Sequence, residues 1–493
     1  MLLENTIVRE IDRFPSEGLV GRRKIKTAVR EITRDNVRDV LANSLARHRQ
    51  NAAEITYLWN YYRGMQDIRF KEKYERTNIN NKVVVNRANE IVTFKTAFLL
   101  NEPITYVSTV DSVAKGVVRL NTFMRAEDKE SKDKEIVDWM HICGVAERLT
   151  LTDEMANVKD GAPFYIYTID PREAYVIYSS RIGQRPMAGV IIQEDEDENE
   201  VFTVYTKNKC FTVTNDSVTE EDHILGDIPL VEYINNEARM GAFECVISIL
   251  NNINQLESDA VDSVQDFVNG FDVFQNCDID DGTYGNLSIG GQAVKVKTTM
   301  QGMEAKVYRV ASELSQSGVQ QRVDDLTNAY LTICGMPNRN GGSSTSDTGQ
   351  AVIFRDGWSE AESRAKDTEK LFVRSERLFL RLVLNICDAK KDANLNLELK
   401  DIDIDFARKS LNNLQSKFQC MCEGLASSYI DPMDVFNAFG DIFGDKVAAY
   451  RRGMEWHKNK EAEENEKVQM DLEAERERIN ALSAGGSGAD ATE

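Results

Sequence analysis

The sequence predicts an α+β fold, mainly helical and divided into several regions. Three observations carry this. Residues 243–268 (FECVISILNNINQLESDAVDSVQDFV) place apolar side chains at 246, 249, 250, 253, 256, 260, 261, 264, 267 and 268, with no Gly or Pro between. That is the i, i+3, i+4, i+7 spacing of a long amphipathic helix. From 162 to 233 the period falls to two, in PFYIYTIDPREAYVIYSS, MAGVIIQ, VFTVYT and CFTVT, as strands require. Finally, 493 residues exceed what one hydrophobic core usually organises, so two to four domains are expected.

The long helix is the element to which the others are referred. Its second face carries Asn251, Asn252, Asn254, Gln255, Ser258, Asp262, Gln265 and Asp266, and is expected to be wet. Its charges are Glu244, Glu257, Asp259, Asp262 and Asp266, with no Lys or Arg. A face laced with surface ion pairs would mix signs. An acidic solvent face is the plain reading, and the wall of an anionic passage is the functional one.

The other elements follow in chain order. Residues 1–26, with Arg22, Arg23, Lys24 and Lys26, read as an extended basic arm, solvated or wrapped on a neighbouring subunit. Residues 35–63 are helical, their aromatic residues (Tyr57, Trp59, Tyr61, Tyr62) suited to packing. A short strand at 83–85 leads into a helix that Asn101-Glu102-Pro103 ends, and 104–107 is a strand. Residues 112–159 are expected to be helical, and the acidic run 194–200 to be a hairpin tip. Residues 271–311 form a glycine-rich β module in which 294–297 alternates and 305–310 can pair with it. Helix returns at 313–334, antiparallel to the first. Residues 337–349 form a polar loop. A helix then runs to about 388, with Gly357 a site for a kink. Residues 395–406 are extended, the aspartates of Asp401-Ile402-Asp403-Ile404-Asp405 sharing one wet face, and helices follow to 454, one starting at Asp431-Pro432. A charged helix to 482 and a disordered tail complete the chain.

Several functions lose support. The net charge is −21, although residues 1–100 hold 19 Lys+Arg against 12 Asp+Glu, so general adhesion to nucleic acid is disfavoured. No GxxxxGK[ST] or HExxH pattern is present, and Asp278-Ile279-Asp280-Asp281-Gly282 departs from a calcium loop in its glycine position and its missing distal Glu. Eight scattered cysteines have no framework or zinc-ribbon spacing and suit a reducing compartment. No apolar run approaches 18 residues and no secretory leader is visible. No catalytic residue, metal site or cofactor is expected. The reading left open beside a non-catalytic one is a nucleic-acid enzyme with Mg²⁺ on acids gathered by folding.

Four stretches give a more specific reading: NNKVVVNRANEIVTFKTAFLLNEPITY (80–106), IDPREAYVIYSS (169–180), DIPLVEYINNEARMGAFECVISILNNINQLESDAVDSVQDF (227–267) and TGQAVIFRDGWSEAESRAKDTEKLFVRSERLFLRLV (348–383). In these, and in part order over 78–450, the chain resembles the portal proteins of tailed double-stranded-DNA bacteriophages, the head–tail connectors, and most of all those of long, non-contractile-tailed phages. The first 78 residues and the last 40 depart from the pattern. The resemblance implies a homo-oligomeric ring of about twelve subunits at the capsid vertex of the virion, assembled in the host cytoplasm. It implies wing (1–241), stem helices (242–270 and 312–336), clip (271–311), channel loop (337–349), long wing helix (350–390) and crown (391–475), with 476–493 a disordered tail.

Double-stranded DNA would be packaged and later ejected through the ring. Its partners would be the terminase large subunit (the packaging ATPase), a head-completion adaptor, and the major capsid and scaffolding proteins, with no membrane. Expected to line the channel are Glu257, Asp259, Asp262 and Asp266. Near DNA on the loop stand Arg339, Asn340, Ser343 and Ser344. The clip would dock partners through Lys295, Lys297, Lys306 and Arg309. On this reading Asp262→Lys or Asp266→Lys spares ring assembly but impairs packaging. A different ring or adaptor of the virion that does not conduct DNA is the alternative.

Overall fold

The computed structural model describes residues 21–74, 77, 79–109, 111–152, 161–268, 271–275, 277–278, 297–298, 306–310, 316–338, 357–390, 393–406, 414–427, 429–439 and 446–485. They fall into two units, 1–100 with 118–399, and 101–117 with 400–493. The fold is α+β and mainly helical.

The first unit begins with β1 (Lys26–Thr27) and α1 (Val37–Tyr62), followed by α2 (Arg87–Leu99). β2 (Thr105–Ser108) belongs to the second unit. Then come α3 (Ala114–Ala126), α4 (Lys129–Cys143), β3 (Val145–Leu151), β4 (Tyr165–Ile169) and β5 (Ala174–Ser179). A meander continues through β6 (Pro186–Glu194), β7 (Glu200–Tyr205), β8 (Lys209–Val213) and β9 (Val218–Asp222) to β10 (Leu230–Ile234). One sheet has the order β1-β5-β6-β7-β8-β9 and a second the order β10-β3-β4. β6 and β7 close with Glu194 opposite Glu200, so the acidic run forms the exposed hairpin tip.

The central helix α5 (Ile247–Val268) is preceded by a 3-10 turn, Glu244–Val246. After it come β11 (Phe271–Gln275), β12 (Cys277–Asp278), β13 (Lys297–Thr298) and β14 (Lys306–Val310). Then follow α6 (Gln316–Cys334) and α7 (Trp358–Ala389). The apolar faces of α5 and α6 meet α1 and α2 in one core that includes Leu58, Tyr61, Ile91, Leu250, Ile253 and Tyr330. The Sγ of Cys334, at the end of α6, lies 3.7 Å from the Ala242 carbonyl just before α5, so the pair is antiparallel, as its sequence order suggested.

The second unit pairs β2 with β15 (Ile402–Asp405) and adds α8 (Leu414–Ala426), α9 (Pro432–Phe439) and α10 (Lys446–Gly485). Asp431 accepts from the Met433 N–H at 2.7 Å, and Pro432 takes the first helical position, where no N–H is needed.

Six expectations are corrected. The basic stretch is no solvated arm from residue 21 onward. Arg22 is buried and paired with Glu54 (3.1 Å) and Glu244 (2.7 Å), and β1 pairs in parallel with β5. Residues 145–151, expected to be helical, are the middle strand of a sheet and are buried on both faces, which erases the alternation that marks a half-buried strand. Gly144 makes the switch at φ +88, where a Cβ would stand 2.3 Å from the Arg239 carbonyl oxygen. Residues 83–85 join no sheet. β14 pairs with β11, while Lys297, the described residue of 294–297, belongs to β13 and pairs with Asp278 of β12. Gly357 is the N-cap of α7, at φ +82, and not a kink within it. Residues 476–485, given to the disordered tail by the resemblance, continue α10, in line with the charged helix read to 482 and as the helix formers in RERINALSAG permit.

A buried charge cluster fixes α7 against the small sheet. Lys129 donates to Asp133 (2.6 Å) and pairs with Glu376 (2.8 Å), while Arg148 reaches Asp133 (2.5 Å) and Glu376 (3.2 Å). The Tyr233 hydroxyl donates to Glu376 at 2.6 Å. Two cations balance two carboxylates, which is the condition for enclosing charge at low energetic penalty.

Candidate functional site: the polar seam of the central helix

Asn254, Ser258 and Asp262 stand four residues apart on α5 and are buried, at 0%, 0% and 2% exposure. The expectation that this face is wet is therefore corrected. Against it runs the extended segment 81–85, antiparallel to the helix. The backbone N–H groups of alternate residues donate to the helix side chains: Asn81 to Asp262 Oδ1 (2.8 Å), Val83 to Ser258 Oγ (3.0 Å) and Val85 to Asn254 Oδ1 (2.8 Å). Two residues of extended chain advance about 6.6 Å and four residues of helix about 6.0 Å. The two repeats stay in register for three rungs, so the segment pairs with side chains as a strand would pair with a neighbour's backbone.

The seam continues at both ends. Toward the start of α5, the Asn254 amide donates to Gln66 Oε1 (2.5 Å), and Gln66 donates to Asn86 Oδ1 (3.0 Å). Asn86 in turn caps α2 by accepting from the Asn89 N–H at 3.3 Å. The Tyr61 hydroxyl donates to Asn251 Oδ1 (2.8 Å), and Asn251 donates to Asp67 Oδ2 (2.8 Å). Burial, and then the Asp67 carboxylate, push the Tyr57 and Tyr61 hydroxyls above their ordinary range, so they remain neutral donors.

Toward the end of α5, Lys71 pairs with Asp259 (2.7 Å) and Lys73 with Asp262 (2.5 Å). Burial opposes ionisation of Asp262, but Lys73 and both N–H donors of Asn81 outweigh it and hold the carboxyl below its usual range. Glu257 is half-buried, and its charge acts on Arg87. Asp259 and Asp262 thus each have a lysine of segment 71–73 beside them. The arrangement fastens a segment to a helix. Nothing in it poises a nucleophile against a base, and among the described residues no cluster of three or more His, Cys, Asp or Glu side chains could hold a metal ion.

The structure brings Glu257, Asp259 and Asp262 to one seam, with Asp262 enclosed by its own chain and the Asp259 side chain 47% exposed. Asp266 lies on α5, its side chain outside the described residues. Lys297 stands opposite Asp278, Arg309 opposite Asp272, and Lys306 is exposed opposite Gln275. Lys295, Arg339, Asn340, Ser343 and Ser344 lie outside the described residues. Sequence reasoning missed Lys71, Lys73, Asn81, Val83 and Val85. The available signal was the side chains themselves. Asn, Ser and Asp at a period of four are short hydrogen-bonding groups, whereas a solvated helix face usually carries Lys, Glu or Arg.

Among the described residues no helix is long and apolar enough to cross a membrane. No curated protein matches the chain. The family model described as "Phage portal protein, SPP1 Gp6-like" matches residues 41–425, from α1 to the end of α8 and including the whole seam. This chain belongs to that family, the portal proteins that form bacteriophage head–tail connectors.

Proposed function

We propose that copies of this chain close into a ring of about twelve at the capsid vertex, through which double-stranded DNA enters and later leaves the head. The packaging ATPase (terminase large subunit) docks first on the module 271–311 and a head-completion adaptor afterwards. Lys295, Lys297, Lys306 and Arg309 supply the docking surface, while major capsid and scaffolding proteins surround the ring. The match over residues 41–425 carries this reading. The chain's role is to position and guide, and the ATPase supplies the work.

The seam changes the electrostatic part of this reading. Neutralising 6–10 phosphates is what gives proteins non-specific DNA affinity of order 10⁻⁴–10⁻⁶ M. Lys71 and Lys73 are held on carboxylates at 2.5–2.7 Å and so do not offer themselves to phosphate. A wall of this kind is charge-compensated, and it neither grips nor strongly repels the duplex. Glu257, Asp259 and Asp266 remain the acidic residues proposed to face the passage, with Arg339, Asn340, Ser343 and Ser344 touching DNA from the loop. Asp262 acts inside the subunit as the counter-ion of Lys73.

The test uses immature capsids assembled with and without the chain, given the packaging ATPase, ATP and DNA. Nuclease-protected DNA is expected only in capsids that contain the chain. Equal protection in its absence contradicts the proposal.

A further inference from the structure

A cleft of about 20 Å³ lies beside the end of α6, lined among others by Phe94, Lys95 and Phe98 of α2, His141 of α4, Gly335, and Arg364 of α7. Lys95 and Arg364 are the charged side chains of its lining, and both are cations. Lys95 is half-buried, and among the described residues no hydrogen bond or ion pair engages its Nζ. The last carbonyls of α6 are already taken. Leu331 accepts from the Met336 N–H (2.8 Å), Thr332 from the Gly335 N–H (3.1 Å) and Ile333 from Arg364 Nη1 (2.6 Å). Arg364 is fixed by that bond and by donating from Nε to Glu360 (2.8 Å), a carboxylate that does not line the cleft. Gly335, at φ +65, makes room for it, since a Cβ there would stand 2.3 Å from Arg364 Cδ. His141 adds no charge: burial, and then the Lys95 ammonium, push its pKa down to about 3, and its Nδ1 is bonded to Thr96 Oγ1 at 3.1 Å.

We propose that this cleft binds a small oxyanion, one oxygen of which enters it and meets the Lys95 ammonium and the Arg364 guanidinium. An ammonium withdrawn from water without a counter-charge is costly, and two cations on one cleft add repulsion to that cost. Burial and the Arg364 charge accordingly both pull the Lys95 pKa below its ordinary value. An anion relieves both penalties, and charge-assisted bonds from Lys and Arg to an oxyanion are strong ones. The volume limits what can enter. One water-sized group needs roughly 10–15 Å³, so the cleft takes a single oxygen and leaves the body of the ligand outside. Phosphate and carboxylate both present such an oxygen, whereas a nucleobase or a sugar ring is too large.

The test labels the lysines of the purified full-length protein with an amine-reactive propionyl ester, with and without inorganic phosphate at matched ionic strength, and reads each site by mass spectrometry. A bound anion keeps the Lys95 amine protonated and shields it from the reagent. At about 10 mM phosphate, roughly tenfold above a millimolar dissociation constant, Lys95 should react about tenfold more slowly. Lys366, exposed on α7 and paired with Glu362 at 3.0 Å, is the internal reference and should not change. A parallel arm with acetate separates the sources. Protection by phosphate alone assigns the site to phosphate-bearing ligands, and protection by acetate as well extends it to carboxylates. Arg364→Gln should lose most of the protection, and undiminished protection in that variant overturns the two-cation site. No protection of Lys95 by either anion in the unsubstituted protein overturns the inference. Equal slowing at Lys366 does the same, since general screening would then account for the effect.

Discussion

Replacing Asp262 with alanine removes the acceptor that ends the seam. Its carboxylate takes bonds from Lys73 (2.5 Å), from the Asn81 backbone (2.8 Å) and from the Asn81 side chain (2.7 Å), at 2% exposure. Breaking a buried pair by deleting one partner costs about 3–5 kcal/mol. The Lys73 side chain is 31% exposed and recovers some hydration, which places the loss near the lower end, about 3 kcal/mol. At about 2 °C per kcal/mol for a large unit, calorimetry should show the transition about 6 °C lower. Lys73→Ala should lose less, because Asp262 keeps Asn81 and has Lys71 at 3.8 Å. The double variant should fall short of the sum by about 1–2 kcal/mol. Asp262→Lys, harmless to assembly if the residue faced solvent, instead sets a third cation beside Lys71 and Lys73 and should destabilise more than alanine does. An Asp262→Ala variant within about 0.5 kcal/mol of the parent would refute the reasoning, since that is the scatter of surface substitutions.

Other consequences are equally specific. In native-state hydrogen exchange the Asn81, Val83 and Val85 amides should exchange slowly, and Ser258→Ala should speed Val83 about 5–30-fold, as loss of one bond of about 1–2 kcal/mol requires. Unchanged Val83 exchange would mean that the rung does not form in solution. Glu147 faces Glu232 across β3 and β10, and burial, then that neighbour, raise its pKa well above the usual value of 4.5, against the pull of Arg239. The folded chain then binds the extra proton, so stability is full below 4.5 and is lost as pH rises through the raised value, by up to about 1.4 kcal/mol per pH unit. Glu147→Gln should remove that loss, and identical pH profiles would contradict the assignment. Arg148→Met leaves the buried Asp133 and Glu376 with Lys129 as their one remaining cation of the cluster and should cost about 3 kcal/mol by urea unfolding, whereas a loss below about 1 kcal/mol would contradict the cluster's role.

Much of the fold was legible because it is governed by local periodicity. The apolar stripe of α5 specified the helix to within four residues at its start, and the period-two stretches gave the β4–β10 region. The stop at Asn101-Glu102-Pro103 and the start at Asp431-Pro432 were read from proline chemistry. What was hidden depends on contacts between distant residues. Val145–Leu151 lost its strand signature because both faces are buried. Arg22 looked like part of a solvated arm because Glu54 and Glu244, its partners, lie 32 and 222 positions away. The site was half-legible for the same reason. Absence of cations within 243–268 is a property of the sequence, but neutralisation by Lys71 and Lys73 is a property of the fold. Pairing of 402–405 with 105–108, which puts 101–117 in the second unit, also has no local signal, because a strand's partner is chosen by topology.

The central claim is that this portal-family chain works as a closed ring, and the mass of the purified particles measures it most directly. Native mass spectrometry, with end-on electron micrographs of the same sample, should give a closed ring of about twelve copies of the 55.8 kDa chain. A species that stays at the mass of a single chain at every concentration, and in the presence of the capsid and packaging proteins, would contradict it.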